Sequence, residues 1–178
     1  MLVLIGESGV GKTTIEDELI KRGYIRAISH TTREKREQDV EGVNYFFISV
    51  EEMEELDRQG ELAERIDFCG NIYALCKEQC KTDRIVVVAP EGLNQLLAKD
   101  DLDIFSVYLC APDEVRKERM LGRGDTIEKV EERLEYDRVT FAGVRDMVNI
   151  TLDNSIKTLD EIVEEVITEY EKYNSKSE

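Results

Sequence analysis

Gly6-Glu7-Ser8-Gly9-Val10-Gly11-Lys12-Thr13 follows an apolar run, Leu-Val-Leu-Ile at residues 2–5, and leads into a stretch of helical character. The spacing is G-x-x-x-x-G-K-[ST], set between a strand and a helix as the chemistry of that motif requires. Its glycines let backbone N–H groups converge on phosphate oxygens, and the helix start adds a favourable dipole. Lys12 is placed to reach β and γ phosphates and Thr13 to ligate Mg²⁺. The expected nucleotide-binding residues are Gly6, Ser8, Gly9, Val10, Gly11, Lys12, Thr13 and Thr14, with a nucleoside triphosphate and Mg²⁺ as the implied ligands. A glycine-rich turn without a ligand is the alternative, and it leaves the flanking strand and helix unexplained.

Beyond this loop, continuous apolar runs at residues 85–88, 104–109 and 147–150 read as further buried strands, alternating with helices in the manner of βαβ units around a parallel sheet. Pro112 before Asp113 and Glu114 predicts a helix reaching about Leu121, because proline in a first turn loses no hydrogen bond and acids favour the positive end of the dipole. Thr158 and Glu161 have capping-box spacing ahead of an apolar stripe from Leu159 to Tyr170, which predicts a last helix packed on the core and a polar tail at 174–178. Residues 29–75 differ: short mixed segments at 45–49 and 62–68, a helix near 50–58, and turns at Gly42, Gly60 and Gly70. They read as an inserted lobe. A second exposed stretch at 122–133 carries arginines between two helices and reads as a mobile segment. The expected fold is α/β: a P-loop parallel sheet flanked by helices, with a small inserted lobe and an arginine-bearing lid. One domain spans 1–178, its core formed by 1–28 and 76–178.

Composition sets limits on partners. With 24 basic and 40 acidic residues in 178, the net charge is −16, which disfavours nucleic acid and anionic membranes. No apolar run approaches the ~20 residues that span a bilayer, and Met1 leads directly into a strand without a cationic leader, so the cytoplasm is the expected compartment. The four cysteines read as free thiols, since Cys76 and Cys80 with the lone His30 fall short of a zinc set.

The phosphoryl acceptor must be sought elsewhere in the chain. Ser29-His30-Thr31-Thr32-Arg33-Glu34-Lys35-Arg36 gathers three cations within four residues of an acidic chain, which marks an anion site. Two arginines three apart can offer forked donors to a monophosphate, with Ser29 and Tyr45 completing the shell. The alternative is a solvated charge run. Here the residues resemble the guanylate kinase family, whose small lobe carries S-x-T-T-R-x-x-R-x-x-E-x-x-x-x-x-Y. This chain reads Ser29, Thr31, Thr32, Arg33, Arg36, Asp39 and Tyr45. The likeness extends through Glu64, Phe68, Gly70, Asn71 and Tyr73, which fit E-x-x-x-F-x-G-N-x-Y, and through Arg119, Arg123 and Arg133 in the lid.

The resemblance implies ATP-dependent phosphorylation of GMP or dGMP by a monomer or homodimer. It places Ser29, Arg33, Arg36, Asp39, Tyr45, Glu64 and Tyr73 at the monophosphate site. Lys12, Arg123 and Arg133 would serve the transferring phosphoryl, and Arg119 would brace the lid or join them. Glu64 suits guanine on chemical grounds, since an acceptor-only carboxylate matches adjacent N1–H and N2–H₂ donors.

Three positions depart from the family pattern. Where the family has D-x-D-x-Q-G, the acids fall at Val87 and Ala89 on alignment to Gly92, which implies a weaker metal shell and slower transfer, unless another acid such as Glu91 substitutes. Leu75 stands in place of a serine that contacts the base, which opens the choice of base. Asp39 replaces a glutamate, a minor change. Two other readings compete with the kinase. A nucleotide-binding module without efficient turnover is favoured by the missing acids. A GTPase is suggested by Asp67-Phe68-Cys69-Gly70 (D-x-x-G) and Lys81-Thr82-Asp83, motifs too close together to serve it.

Overall fold

The computed structural model describes residues 1–176. Its elements begin with β1 (Leu2–Gly6), α1 (Lys12–Lys21), β2 (Ile25–Arg26), β3 (His30–Thr31), β4 (Phe46–Phe47), α2 (Val50–Arg58), β5 (Leu62–Phe68) and β6 (Asn71–Cys76). They continue with β7 (Arg84–Val87), α3 (Pro90–Leu97), β8 (Phe105–Cys110), α4 (Asp113–Gly122), α5 (Ile127–Thr140), β9 (Ile150–Asp153) and α6 (Leu159–Asn174).

Five strands form a sheet in the order β2-β7-β1-β8-β9, parallel throughout. β1 lies at its centre, so all five of its residues are buried and its sequence carries no polar alternation. Its two faces serve two cores. Leu2 and Leu4 pack with Ile15 and Leu19 of α1 and with Ile162, Val163 and Val166 of α6. Met1, Val3 and Ile5 pack with Leu93 and Leu96 of α3 on the other face. Truncating one of these, Leu4→Ala for example, costs about 2–5 kcal/mol.

The second sheet has the order β4-β3-β6-β5, with β3 parallel to β4 and the other pairs antiparallel. Gln95 of α3 joins it to the core: its side chain donates to Arg65 O at 2.7 Å and accepts from Arg65 N at 2.9 Å. β5 and β6 form a hairpin whose tip holds Cys69 (φ 50) and Gly70 (φ 76). Asp67 and Phe68 of the D-x-x-G stretch belong to β5, with Phe68 exposed, and only Cys69 and Gly70 form the tight turn.

The apolar run at 147–150 is mostly not a strand. Met147 and Val148 pack beneath the second core cluster, and β9 begins only at Ile150. Asn149 explains the offset, because its side chain accepts from Ser106 N at 2.7 Å and so holds this loop to β8. Pro112 is the N-cap of α4 and not its first residue. The stretch between α4 and α5 is also shorter than its sequence suggests. α5 starts at Ile127, where Thr126 accepts from Lys129 N, so Arg133 stands on a helix. The capping boxes of α2 and α6 form at Ser49/Glu52 and Thr158/Glu161, and Asn174 ends α6 where a polar tail is expected. Residues 177–178 of that tail lie outside the described residues. Among the described residues no helix is long and apolar enough to cross a membrane.

Candidate active site

The loop after β1 turns into α1 through Gly11, whose φ of 92° places the N-cap in the left-handed region. No side chain caps this helix, so the first-turn N–H groups stay available to an anion. Thr13 and Thr14 are exposed on that turn. A cleft of about 600 Å³ opens here, lined by loop residues together with Arg119, Arg123, Asn154 and Lys157. An uncapped helix start, a threonine hydroxyl and a ring of cations fit a nucleotide polyphosphate and its metal.

Lys12 folds back over the loop, donating to Gly6 O at 2.5 Å and Glu7 O at 2.9 Å. Burial lowers its pKa to about 8, and the Asp137 carboxylate opposes that fall. Asn154 donates to Val10 O at 2.6 Å, and Arg119 donates to Val10 O at 3.3 Å and to Asn154 O at 2.7 Å. Arg119 thus ties the phosphate loop to the turn after β9, and it also lines the cleft. Arg123 lines the cleft, with its Nε donating to Asp125 at 2.6 Å. Arg133 reaches the same carboxylate at 3.2 Å and does not line the cleft. The hydrogen bond from Arg123 keeps the Asp125 carboxyl below its usual range.

On the second sheet, Arg33 donates to Asp39 at 2.9 Å and lies 5.6 Å from the ring centre of Tyr45. Asp39 also accepts from Arg36 N at 2.8 Å, the main cause of its lowered pKa. Tyr45 meets Tyr73 edge to face at 5.7 Å, and Ser29 O accepts from Phe46 N at 3.0 Å. The basic run is thus an ordered turn with Arg33 packed and Arg36 exposed. Glu64 sits on β5 against the start of α3, so close that a Cβ at Gly92 would lie 2.7 Å from its Oε1. Burial pushes its carboxyl up to about 7, and Glu91 adds repulsion. Leu75, opposite Glu64, is fully buried in the core cluster of Leu93 and Leu96. Cys76 Sγ lies 3.3 Å from His30 Nδ1, and burial raises that thiol to about 11.

The end of β7 brings Val87, Val88 and Ala89 to a cavity of about 290 Å³ shared with Gly6, Ser8, Lys12, Phe141 and Asp137. The carboxylate on this wall comes from α5. Glu91 is exposed on α3 beside Glu64 and does not line this cavity. Sequence reading missed Asp137 and its partner Arg116, although a signal exists: Val130, Leu134 and Asp137 share one buried face of α5, and Arg116 and Met120 one face of α4.

A phosphate loop on the central strand of a parallel sheet, beside a second sheet and an arginine-bearing helical hairpin, defines the class of P-loop nucleoside monophosphate kinases. The family model for guanylate kinase matches residues 1–167. The guanylate kinase of Streptococcus mutans is 30% identical, covering 94% of this chain and 84% of that protein. That of Brucella melitensis is 32% identical, covering 78% and 68%. Among solved structures, the guanylate kinase from Anaplasma phagocytophilum shares the fold with a TM-score of 0.66 at 19% identity, over 97% of this chain and 84% of that one. The chain belongs to the guanylate kinase family.

Proposed function

We propose that the protein transfers the terminal phosphoryl group of ATP to GMP or dGMP. One observation carries this reading furthest: a desolvated carboxyl, Glu64, which accepts on both oxygens when ionised, stands on the sheet that also holds the Arg33–Arg36 turn, in a protein whose central strand ends in a phosphate loop. The loop and first turn of α1 would cradle the ATP phosphates through residues 6–14, with Lys12 leaving its loop carbonyls for the β and γ phosphates. Thr13 would hold Mg²⁺, which when bound would supply charge neutralisation at the phosphates.

Arg33 and Arg36 would hold the acceptor phosphate, with Ser29, Asp39, Tyr45 and Tyr73 around it, and Glu64 would read guanine. Arg123 and Arg133 would move from Asp125 to the transferring group. Residues 29–75 act as the monophosphate lobe, the hairpin around 122–133 as the lid, and 1–28 with 76–178 as the core. No general base is needed, because a monophosphate with a second pKa of about 6 already presents an anionic oxygen. The bond to the ADP oxygen breaks as the bond to that oxygen forms.

A second reading, nucleotide binding with slow turnover, is favoured by the absence of acids at Val87 and Ala89 beside Lys12. A coupled assay that follows ADP release from ATP and Mg²⁺ with each common ribo- and deoxyribonucleoside monophosphate separates the two. Release with the guanine acceptors alone supports the first. Tight binding of ATP and GMP without release supports the second. Preference for another base refutes the reading of Glu64.

A further inference from the structure

We propose that Arg116 and Asp137 are positioning residues of the phosphate loop, an ion pair across α4 and α5 that clamps both backbone polar groups of Ser8. The proposal rests on the kinase reading only in that the loop binds a nucleotide polyphosphate. Arg116 is 1% exposed and Asp137 3%, and their charged groups pair directly. Arg116 Nε donates to Ser8 O at 2.9 Å, while Asp137 Oδ2 accepts from Ser8 N at 2.8 Å. The Ser8 hydroxyl approaches the other Asp137 oxygen at 3.4 Å. The remaining Arg116 nitrogen reaches Asp113 at 3.0 Å and Glu7 at 3.3 Å.

A second contact acts at the next residue. Gly9 has a φ of 79°, and a Cβ there would lie 2.8 Å from Arg116 O and 3.1 Å from Met120 Cγ. The loop is therefore laid directly on the backbone of α4, with no room for a side chain between them.

This arrangement has a physical rationale. A glycine-rich loop samples many conformations, and each one frozen before ATP arrives lowers the entropy lost on binding. Bonding the N–H and C=O of one residue from two helices fixes the peptides on both sides of it. The Ser8 N–H is occupied by protein, which leaves the amides of Gly9 and Gly11 in the loop and those of residues 12–14 as the open donors for phosphate. The same pair ties the loop to the lid. Arg116 lies one turn before Arg119 on α4, and Asp137 one turn after Arg133 on α5. The base of the α4–α5 hairpin is thereby fixed, and motion is left to its tip around 123–126.

Amide hydrogen exchange on the nucleotide-free wild-type protein tests this without any variant. The Ser8 amide should exchange at least 100-fold more slowly than in an unstructured peptide, while the amides of residues 12–14 gain protection only when ATP is added. A Ser8 amide that exchanges freely overturns the proposal. Asp137→Asn, close to isosteric, and Arg116→Lys supply the functional test. In each folded variant the Kd of a fluorescent ATP analogue and the KM for ATP should rise at least tenfold, with the KM for GMP within twofold. Ser8 exchange should accelerate at least tenfold in Asp137→Asn while core amides of β1 stay protected. An ATP-analogue Kd within twofold of wild type, or equal losses for ATP and GMP, refutes a positioning role. Failure of the wild type itself to bind ATP refutes the kinase reading instead, and leaves the Ser8 measurement standing.

Discussion

Replacing Glu64 by glutamine should change the pH dependence of stability in a direction the structure specifies. Burial against α3 lifts this carboxyl from the usual 4.5 to about 7, with Glu91 adding to the rise. An acid with a raised folded pKa holds its proton more tightly folded than unfolded. Its ionisation therefore penalises the folded state: the penalty is absent below about pH 4.5, grows as pH rises, and is complete above about 7. At about 1.4 kcal/mol per tenfold change in proton affinity the ceiling is roughly 3 kcal/mol. Solvent reaching the partly exposed carboxylate trims this to about 2 kcal/mol.

Urea unfolding of wild type and Glu64→Gln at pH 5 and pH 8 reads the effect, because the other acids of the chain contribute alike to both proteins. The variant should gain about 2 kcal/mol on the wild type between those two pH values. Parallel stability curves would refute the desolvation argument. The ionised carboxylate is also the form that accepts from guanine, so the wild-type KM for GMP should fall as pH is raised from 6 to 8. Glu64→Gln should flatten that profile and erode base preference, since its amide presents donors to guanine donors.

Lys12→Met should abolish transfer while thermal unfolding stays near wild type, because the lysine bonds only loop carbonyls; a folded variant with full turnover would end the P-loop reading. With the Lys12 ammonium lowered to about 8, kcat/KM for ATP should decline as pH rises through that value, and a flat profile to pH 9.5 would contradict it. Arg36→Ala removes an exposed guanidinium and should raise the KM for the monophosphate roughly 10–100-fold, the equivalent of about 1.5–3 kcal/mol, leaving ATP unaffected. Arg33→Ala should also loosen the Asp39 turn, since it is the packed member of the pair, which thermal melts would register. A carboxylate restored beside the loop should raise turnover or lower the Mg²⁺ requirement. Ala89→Asp, at an exposed position, should do so with little loss of stability, whereas Val87→Asp places the charge where the side chain packs on the first core cluster. No gain in folded Ala89→Asp would show that the missing acids do not limit the rate.

Local chemistry made much of the protein readable before folding. The phosphate loop is contiguous, and the order glycine, lysine, threonine after an apolar strand dictates its shape and the kind of anion that shape suits. The helix start at Thr158/Glu161 was legible for the same reason, since a cap is an interaction across three residues. So were the segment at 62–68 and its turn at Gly70, though not the strand β6 that pairs with it. Weak local signals misled where tertiary packing took over. Met147 and Val148 are apolar because they lie under the core and not because they form a strand.

What the sequence determined by itself was whatever a few neighbouring residues decide: the loop, the capped helices, the buried character of β1, and the family pattern these spell out. Only the tertiary structure decided which distant groups meet. It set Asp137 of α5 against Ser8 N at 2.8 Å. It also placed Glu64 against Gly92, so that the carboxyl loses water and rises to about 7. Desolvation and charge pairing depend on neighbours many residues away along the chain, and those neighbours exist only once the chain has folded.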